Sequence, residues 1–159
     1  MKFKVVIFCL GLLLMMSSCL DNRVSDSGET SIQGTWKLMS AVTIVGEDTS
    51  RVHYSTSVEG IKMLNKTHFS FFQHDLTKGA DSTKVFVSGA GRYTLQGDRY
   101  TEVLEYCSAR EWENHTFDFT ISLKGDTLLQ TGIEKLPELH VDRVIIETYI
   151  RLPAEKSRM

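Results

Sequence analysis

The sequence is poor in proline and almost devoid of helical periodicity. Its 159 residues include two prolines, Pro137 and Pro153, and both lie outside the regularly patterned segments. After residue 31 the apolar residues rarely recur at the three- and four-residue spacing of an amphipathic helix. Polar and apolar residues alternate instead, which is typical of half-buried strands. The pattern argues against a helical protein and favours an all-β fold.

Cysteine is also scarce. Cys9 lies within an apolar leader, Cys19 ends that leader, and Cys107 stands alone in the rest of the chain. Without a second cysteine for Cys107, no disulfide can form inside the domain. The fold must therefore hold through packing alone.

Basic clusters and catalytic signatures are missing as well. The net charge is −2, and about −4 once Lys2 and Lys4 are set aside. No lysine- or arginine-rich tract appears, which excludes nucleic acid as an expected partner. The five histidines lack metal-ligand spacing, and neither a nucleophile elbow nor a phosphate-binding glycine loop occurs. We therefore expect no metal, no cofactor and no catalytic residue.

Residues 1–18 have the features of a secretory leader. Lys2 and Lys4 precede an apolar run over residues 5–16, which is shorter than the roughly 20 residues needed to cross a bilayer. The run ends in Met-Ser-Ser-Cys, which resembles a bacterial lipobox and predicts lipidation of Cys19. The alternative is an ordinary secretory signal followed by a chance cysteine. Acyl chains on Cys19 would anchor the protein to a membrane without spanning it.

The predicted domain organisation follows from this leader. Residues 19–31 are polar and lack periodicity, as expected of a flexible tether. Leu20, in place of aspartate, resembles the sorting pattern of outer-membrane lipoproteins, so we expect a cell-envelope location facing the periplasm. Residues 32–153 then form one domain, a size sufficient for a single core.

The domain is predicted to be an antiparallel β-barrel. Two-residue hairpin signals occur at Gly97-Asp98 and Gly125-Asp126. Such a meander closes most readily into an up-and-down barrel of about eight to ten strands, with a two-sheet sandwich as the alternative. The expected strands are 33–45, 51–54, 60–64, 68–74, 84–96, 99–107, 115–123, 126–132 and 141–152.

An acidic residue interrupts the apolar face of the longest hairpin. A turn at Gly97-Asp98 pairs Tyr93 with Glu102 and leaves one face mostly apolar. That face carries Gly91, Tyr93, Leu95, Tyr100, Glu102, Leu104 and Tyr106. An interior carboxylate needs a cation, several hydroxyl donors or water. Glu102 therefore marks either a ligand pocket or a satisfied structural group.

Several motifs carry a resemblance to known barrels. Gly34-Thr35-Trp36 opens the first strand, and Arg151 lies in the last one. With the long central hairpin, they resemble the lipocalin or calycin group, and the whole domain resembles a lipocalin-like family of unknown function found in bacterial envelope lipoproteins. The resemblance implies that Gly34, Trp36 and Arg151 are architectural, with the arginine lying over the tryptophan at the closed end. It names no ligand.

The predicted function is non-covalent binding of an unidentified small molecule inside the barrel. Glu147 and Tyr149 share a strand face with Arg151, which adds a second interior acid. The expected ligand-binding residues are Tyr93, Tyr100, Glu102, Leu104, Tyr106, Phe117, Phe119, Ile121, Glu147 and Tyr149.

Two alternatives belong to other functional classes. A barrel filled by its own side chains would favour a protein-interaction module acting through loop 77–83 or loop 108–114, where Trp112 looks exposed. A small enzyme would need Glu102 and Glu147 to converge on one cavity.

Overall fold

The chain folds into nine antiparallel strands, as the alternation predicts. The computed structural model describes residues 31–54, 57–80 and 84–153. The strands are β1 (Gly34–Val45), β2 (Asp48–His53), β3 (Val58–Leu64), β4 (His68–Asp75), β5 (Phe86–Gln96), β6 (Arg99–Cys107), β7 (His115–Lys124), β8 (Thr127–Leu136) and β9 (Val141–Arg151). Two 3-10 turns, Arg110–Trp112 and Pro137–Leu139, connect the later strands. Within these residues no helix has the length and apolar character to cross a membrane.

Strand β1 closes the barrel. Its residues 34–37 pair with β3, and its residues 36–44 pair with β9 on the other side. Eight strands thereby form a closed antiparallel wall, which confirms the predicted barrel and rules out the sandwich. Strand β2 pairs only with the second half of β1 and is exposed throughout, so it extends the wall beyond the barrel proper.

The central hairpin has the predicted register near its turn. Gln96 pairs with Arg99, and Tyr93 pairs with Glu102. Gly97 adopts φ 64°, a left-handed conformation that glycine reaches without strain. Glu102 accordingly points into the barrel, where it is 6% exposed.

A β-bulge changes the far end of this hairpin. Gly91 pairs with Leu104, but the next pair is Ala90 with Tyr106, so Glu105 is an extra residue on β6. A Cβ atom on Gly91 would lie 1.9 Å from the Val103 carbonyl oxygen, a close approach that only glycine permits. Beyond this extra residue, the side chains of β6 that alternation would place inside the barrel point outward, and the others point inward. The prediction that Tyr106 lines the interior is therefore wrong: its side chain is 68% exposed, and Cys107 packs against the core instead.

Trp36 and Arg151 form the expected plug at one end of the barrel. Trp36 is 0% exposed, and the Arg151 guanidinium carbon lies 4.1 Å from its ring centroid. The same guanidinium donates hydrogen bonds to the backbone oxygens of Gln33 (2.6 Å) and Ser31 (2.7 Å). Gly34 lies beneath it with φ 140°, a conformation that favours glycine, and a Cβ atom there would lie 2.8 Å from Arg151 Nη1, so the guanidinium would have to shift. We call this end of the barrel the closed end.

The predicted leader and anchor lie outside the described residues. Residues 1–18, Cys19 and most of the tether belong to this part of the chain, so lipidation stays a prediction. Ser31, assigned from the sequence to the tether, already contacts Arg151 through its carbonyl oxygen. The last residue of the predicted tether therefore lies at the closed end of the barrel.

Candidate functional site

The barrel encloses a cavity of about 390 Å³ away from the plug. Its lining comes from all eight barrel strands, from Tyr54 and from the segment around Trp112. Arg143, whose side chain is 37% exposed, and its partner Glu134 line the cavity far along β9 and β8 from Arg151 and Leu128 at the closed end. The cavity therefore opens at the end opposite the plug.

A buried ion pair forms the floor of this cavity. Lys62, on β3, forms a salt bridge with Glu102 on β6. Its ammonium also donates a hydrogen bond of 2.7 Å to Gln130 Oε1 on β8. Lys62 is 3% exposed and Gln130 is 2% exposed, so the three side chains link three strands in a nearly dry environment.

Aromatic rings surround the Lys62 ammonium. Its nitrogen lies 5.1 Å from the ring centroid of Tyr100, 5.5 Å from that of Phe69 and 5.9 Å from that of Tyr149. Each distance is within the range of a cation–π contact, which is stronger when the cation is desolvated. These contacts help to offset the cost of removing the ammonium from water.

Glu102 was predictable as the acid of this pair, but Lys62 was not predicted as its cation. Glu102 was expected to need a cation, hydroxyl donors or water, and Lys62 meets that need. Inward residues on β3 are Gly60, Lys62 and Leu64, but Ile61 and Met63 on its other face are apolar too, so alternation alone does not mark Lys62 as interior. Because Lys62 already forms a salt bridge with Glu102, this carboxylate has a structural partner even though it lines the cavity.

Glu147 is the second interior acid, and its situation differs from that of Glu102. Tyr149 donates a hydrogen bond of 2.7 Å from its hydroxyl to Glu147 Oε2. Across the described ranges, no lysine, arginine or histidine nitrogen comes within 4.0 Å of the Glu147 carboxylate. Glu147 is half-buried and lines the cavity. Burial raises the pKa of the Glu147 carboxyl, and the positive charge of Lys62 partly opposes that rise.

The mouth of the cavity is built from a second group of side chains. Arg143 Cζ lies 5.3 Å from the ring centroid of Trp112, and Arg143 Nε lies 2.5 Å from Glu134 Oε2. The Trp112 ring packs against Phe117, with centroids 6.0 Å apart. The expectation that Trp112 is exposed is therefore wrong: it is half-buried, because the 3-10 turn at Arg110–Trp112 folds it over the wall.

Six of the predicted ligand-binding residues line this cavity, and four do not. The six are Glu102, Leu104, Phe117, Phe119, Glu147 and Tyr149. Tyr93, Tyr100 and Ile121 do not line it: Tyr100 packs on both Tyr93 and Phe119, with centroids 5.1 Å and 6.5 Å apart, and Ile121 belongs to the same apolar core. Tyr106 faces outward beyond the bulge.

The buried Tyr100 hydroxyl lies beside the floor. Burial, together with the nearby Glu102 carboxylate, holds the pKa of Tyr100 well above its usual range. Among the described residues this hydroxyl has no hydrogen-bond partner of ordinary geometry. It remains a neutral phenol that contributes its ring to the Lys62 environment.

Over residues 31–54, 57–80 and 84–153, no group of three histidine, cysteine, aspartate or glutamate side chains is placed to hold a metal ion. The site offers an apolar and aromatic wall, a neutralised ion pair at the floor and one carboxylate without a cation. Such a combination is typical of small-molecule pockets.

Comparisons with known proteins assign no family. The sequence matches no protein-family model, and no curated protein is significantly similar to it. The lipocalin-like resemblance therefore stays a hypothesis that rests on Gly34, Trp36, Arg151 and the barrel they close.

Proposed function

We propose that this protein is a lipid-anchored barrel of the bacterial cell envelope that binds a small molecule non-covalently. The observation that carries the proposal is the cavity of about 390 Å³, which lies in the range of roughly 300–1,000 Å³ typical of ligand pockets. Apolar side chains form about half of its wall, with Phe71, Leu104, Phe117, Phe119 and Ile145 among the lining residues. Displacing water from such a wall favours an organic ligand.

The anchor and the cavity fit together in this proposal. Ser31 contacts Arg151 at the closed end, so a chain tethered through Cys19 is attached at that end. The opposite end of the barrel carries the mouth. A ligand would then enter from the aqueous compartment and not through the point of attachment.

The cavity also weighs against the two alternatives. A protein-interaction module was expected to have a barrel filled by its own side chains, and this barrel is hollow above Lys62. The enzyme alternative required Glu102 and Glu147 to converge on one cavity, and both side chains do line it. Glu102, however, is salt-bridged to Lys62, so the two carboxylates do not form an isolated acid and base pair.

Blocking the cavity tests the proposal directly. Ala41 lines the cavity from β1, so Ala41→Trp places an indole in the space that a ligand would occupy. We expect the wild-type protein to bind the neutral fluorophore N-phenyl-1-naphthylamine with enhanced emission, and Ala41→Trp to weaken that binding by about tenfold or more. A fluorescence titration measures both affinities.

Ile133→Trp is the control. Ile133 lies on β8 next to the lining residue Glu134 and is 57% exposed, and the alternation of side chains along the strand places it on the outer face of the barrel. This variant should bind the fluorophore as the wild type does. Equal binding to Ala41→Trp and Ile133→Trp, in folded proteins, would show that the fluorophore binds outside the barrel and would contradict the proposal.

A further inference from the structure

We propose that the ligand carries a protonated amine on an apolar or aromatic body, with its ammonium paired to the Glu147 carboxylate. This inference rests on the proposed function, since it concerns what the same cavity selects. It names a chemical class of ligand that neither the fold nor the sequence resemblance implies.

The charges that line the cavity leave one acid without a cation. The charged residues of the lining are Lys62, Arg143, Glu102, Glu134 and Glu147. Lys62 forms an ion pair with Glu102 at the floor, and Arg143 forms one with Glu134 at the mouth. Glu147 lies between these pairs and carries the excess negative charge.

The Glu147 carboxylate has room for further donors. An ionised carboxylate offers about four lone-pair sites, and the Tyr149 hydroxyl occupies one of them. The side chain is half-buried and its remaining surface faces the cavity. A primary ammonium could therefore donate to it directly, with the charge assistance that makes such hydrogen bonds strong.

The surroundings of Glu147 favour a cation over a neutral or negative group. The ionisable side chains around it are Lys62 on β3, Tyr100 and Glu102 on β6, Glu134 on β8, Tyr149 on β9 and Tyr54 after β2. Burial, Glu102 and Glu134 all raise the pKa of Glu147, and among the described residues Lys62 is the cation whose charge lowers it. An ammonium would offset this cost, whereas a ligand carboxylate would add to it.

The wall of the cavity supplies a place for the rest of the ligand. Phe117 packs between Trp112 and Phe119, with centroid distances of 6.0 Å and 6.3 Å. All three rings line the cavity between its mouth and its floor. An aromatic or aliphatic body extending from the amine would contact these rings and displace water from them.

Three probes of matched shape and different charge test the inference. They are 2-(1-naphthyl)ethylamine, 2-(1-naphthyl)ethanol and 1-naphthylacetate, titrated into the full protein by calorimetry near neutral pH. We expect the amine to bind about tenfold or more tightly than the alcohol, and the acid more weakly than the alcohol. The Glu147→Gln variant should lose this preference while its affinity for the alcohol is unchanged.

Asp142→Asn is the control for the loss of one negative charge. Asp142 lies on the same strand, but its carboxylate is exposed and pairs with Lys135 outside the barrel. This variant should keep the preference for the amine. The thermal unfolding of all three proteins shows that the variants are folded.

A pH series separates an ion pair from a general preference for amines. Protonation of Glu147 removes its charge, so the affinity for the amine should fall as pH falls through the raised pKa of Glu147. The affinity for the alcohol should not change with it. In Glu147→Gln the dependence on pH should disappear.

The outcomes distinguish this inference from the proposed function. If amine and alcohol bind equally, or if the acid binds best, the inference about the amine is wrong while binding in the cavity stands. If none of the three probes binds, the proposed function fails together with the inference. A preference for the amine that survives in Glu147→Gln would assign the contact to another residue and overturn the proposal.

Discussion

Replacing Lys62 by methionine is expected to lower the free energy of unfolding by about 3–5 kcal/mol, the range for breaking a buried ion pair from one side. Methionine fills a similar volume, so lost packing contributes little. The cost arises because Glu102, 6% exposed, would keep its charge in the barrel without a cation. Urea denaturation near neutral pH measures the loss.

Neutralising Glu102 together with Lys62 tests this explanation. The double variant Lys62→Met, Glu102→Gln carries no unpaired charge at the floor, so most of the lost stability should return. Both the loss and its recovery follow from one cause, an uncompensated carboxylate.

Lys135→Met is the control for this substitution. Lys135 pairs with Asp142 at the surface, where both side chains are exposed. Exposed pairs contribute about 0–1 kcal/mol, so this variant should be nearly as stable as the wild type. If Lys62→Met were equally harmless, Glu102 would be well hydrated and the floor would not be the dry ion pair described above.

Replacing Trp36 by alanine is expected to cost about 3–5 kcal/mol, the range for truncating a fully buried tryptophan. The indole is 0% exposed, carries the Arg151 guanidinium on its face and donates a 2.8 Å hydrogen bond to the Ile32 oxygen. Its removal leaves a cavity at the closed end and takes away the surface on which Arg151 stacks. Chemical denaturation measures the effect.

Trp112→Ala makes the same chemical change at the other end of the barrel. Trp112 is half-buried at the mouth, so its truncation should cost clearly less than that of Trp36. Equal losses in the two variants would contradict a plug confined to Trp36 and Arg151. A loss of probe binding in Trp112→Ala without a large loss of stability is expected, since the ring lines the cavity.

Much of the wall could be predicted because alternation is a local signal. Register near Gly97 follows from the two-residue turn, and the inward direction of Glu102 follows from that register. The plug was predictable from Gly34, Trp36 and Arg151 only through the resemblance to lipocalins. Nothing in the spacing of these residues shows that they meet.

The errors have two physical causes. Tyr106 was misplaced because one extra residue, Glu105, reverses the facing of the strand, and the close approach of Gly91 to the Val103 oxygen is a contact between strands. Lys62 was missed because a lysine in a strand is ordinarily expected at the surface. Its burial depends on Glu102 and Gln130, which are distant in sequence.

Native mass spectrometry of the protein purified from its own host tests most directly whether the barrel is a hollow binding site. The account predicts a complex of one chain with one retained small molecule, and only the bare chain for Ala41→Trp prepared in the same way. A bare chain for both proteins would contradict it, as would a molecule that Ala41→Trp retains equally well.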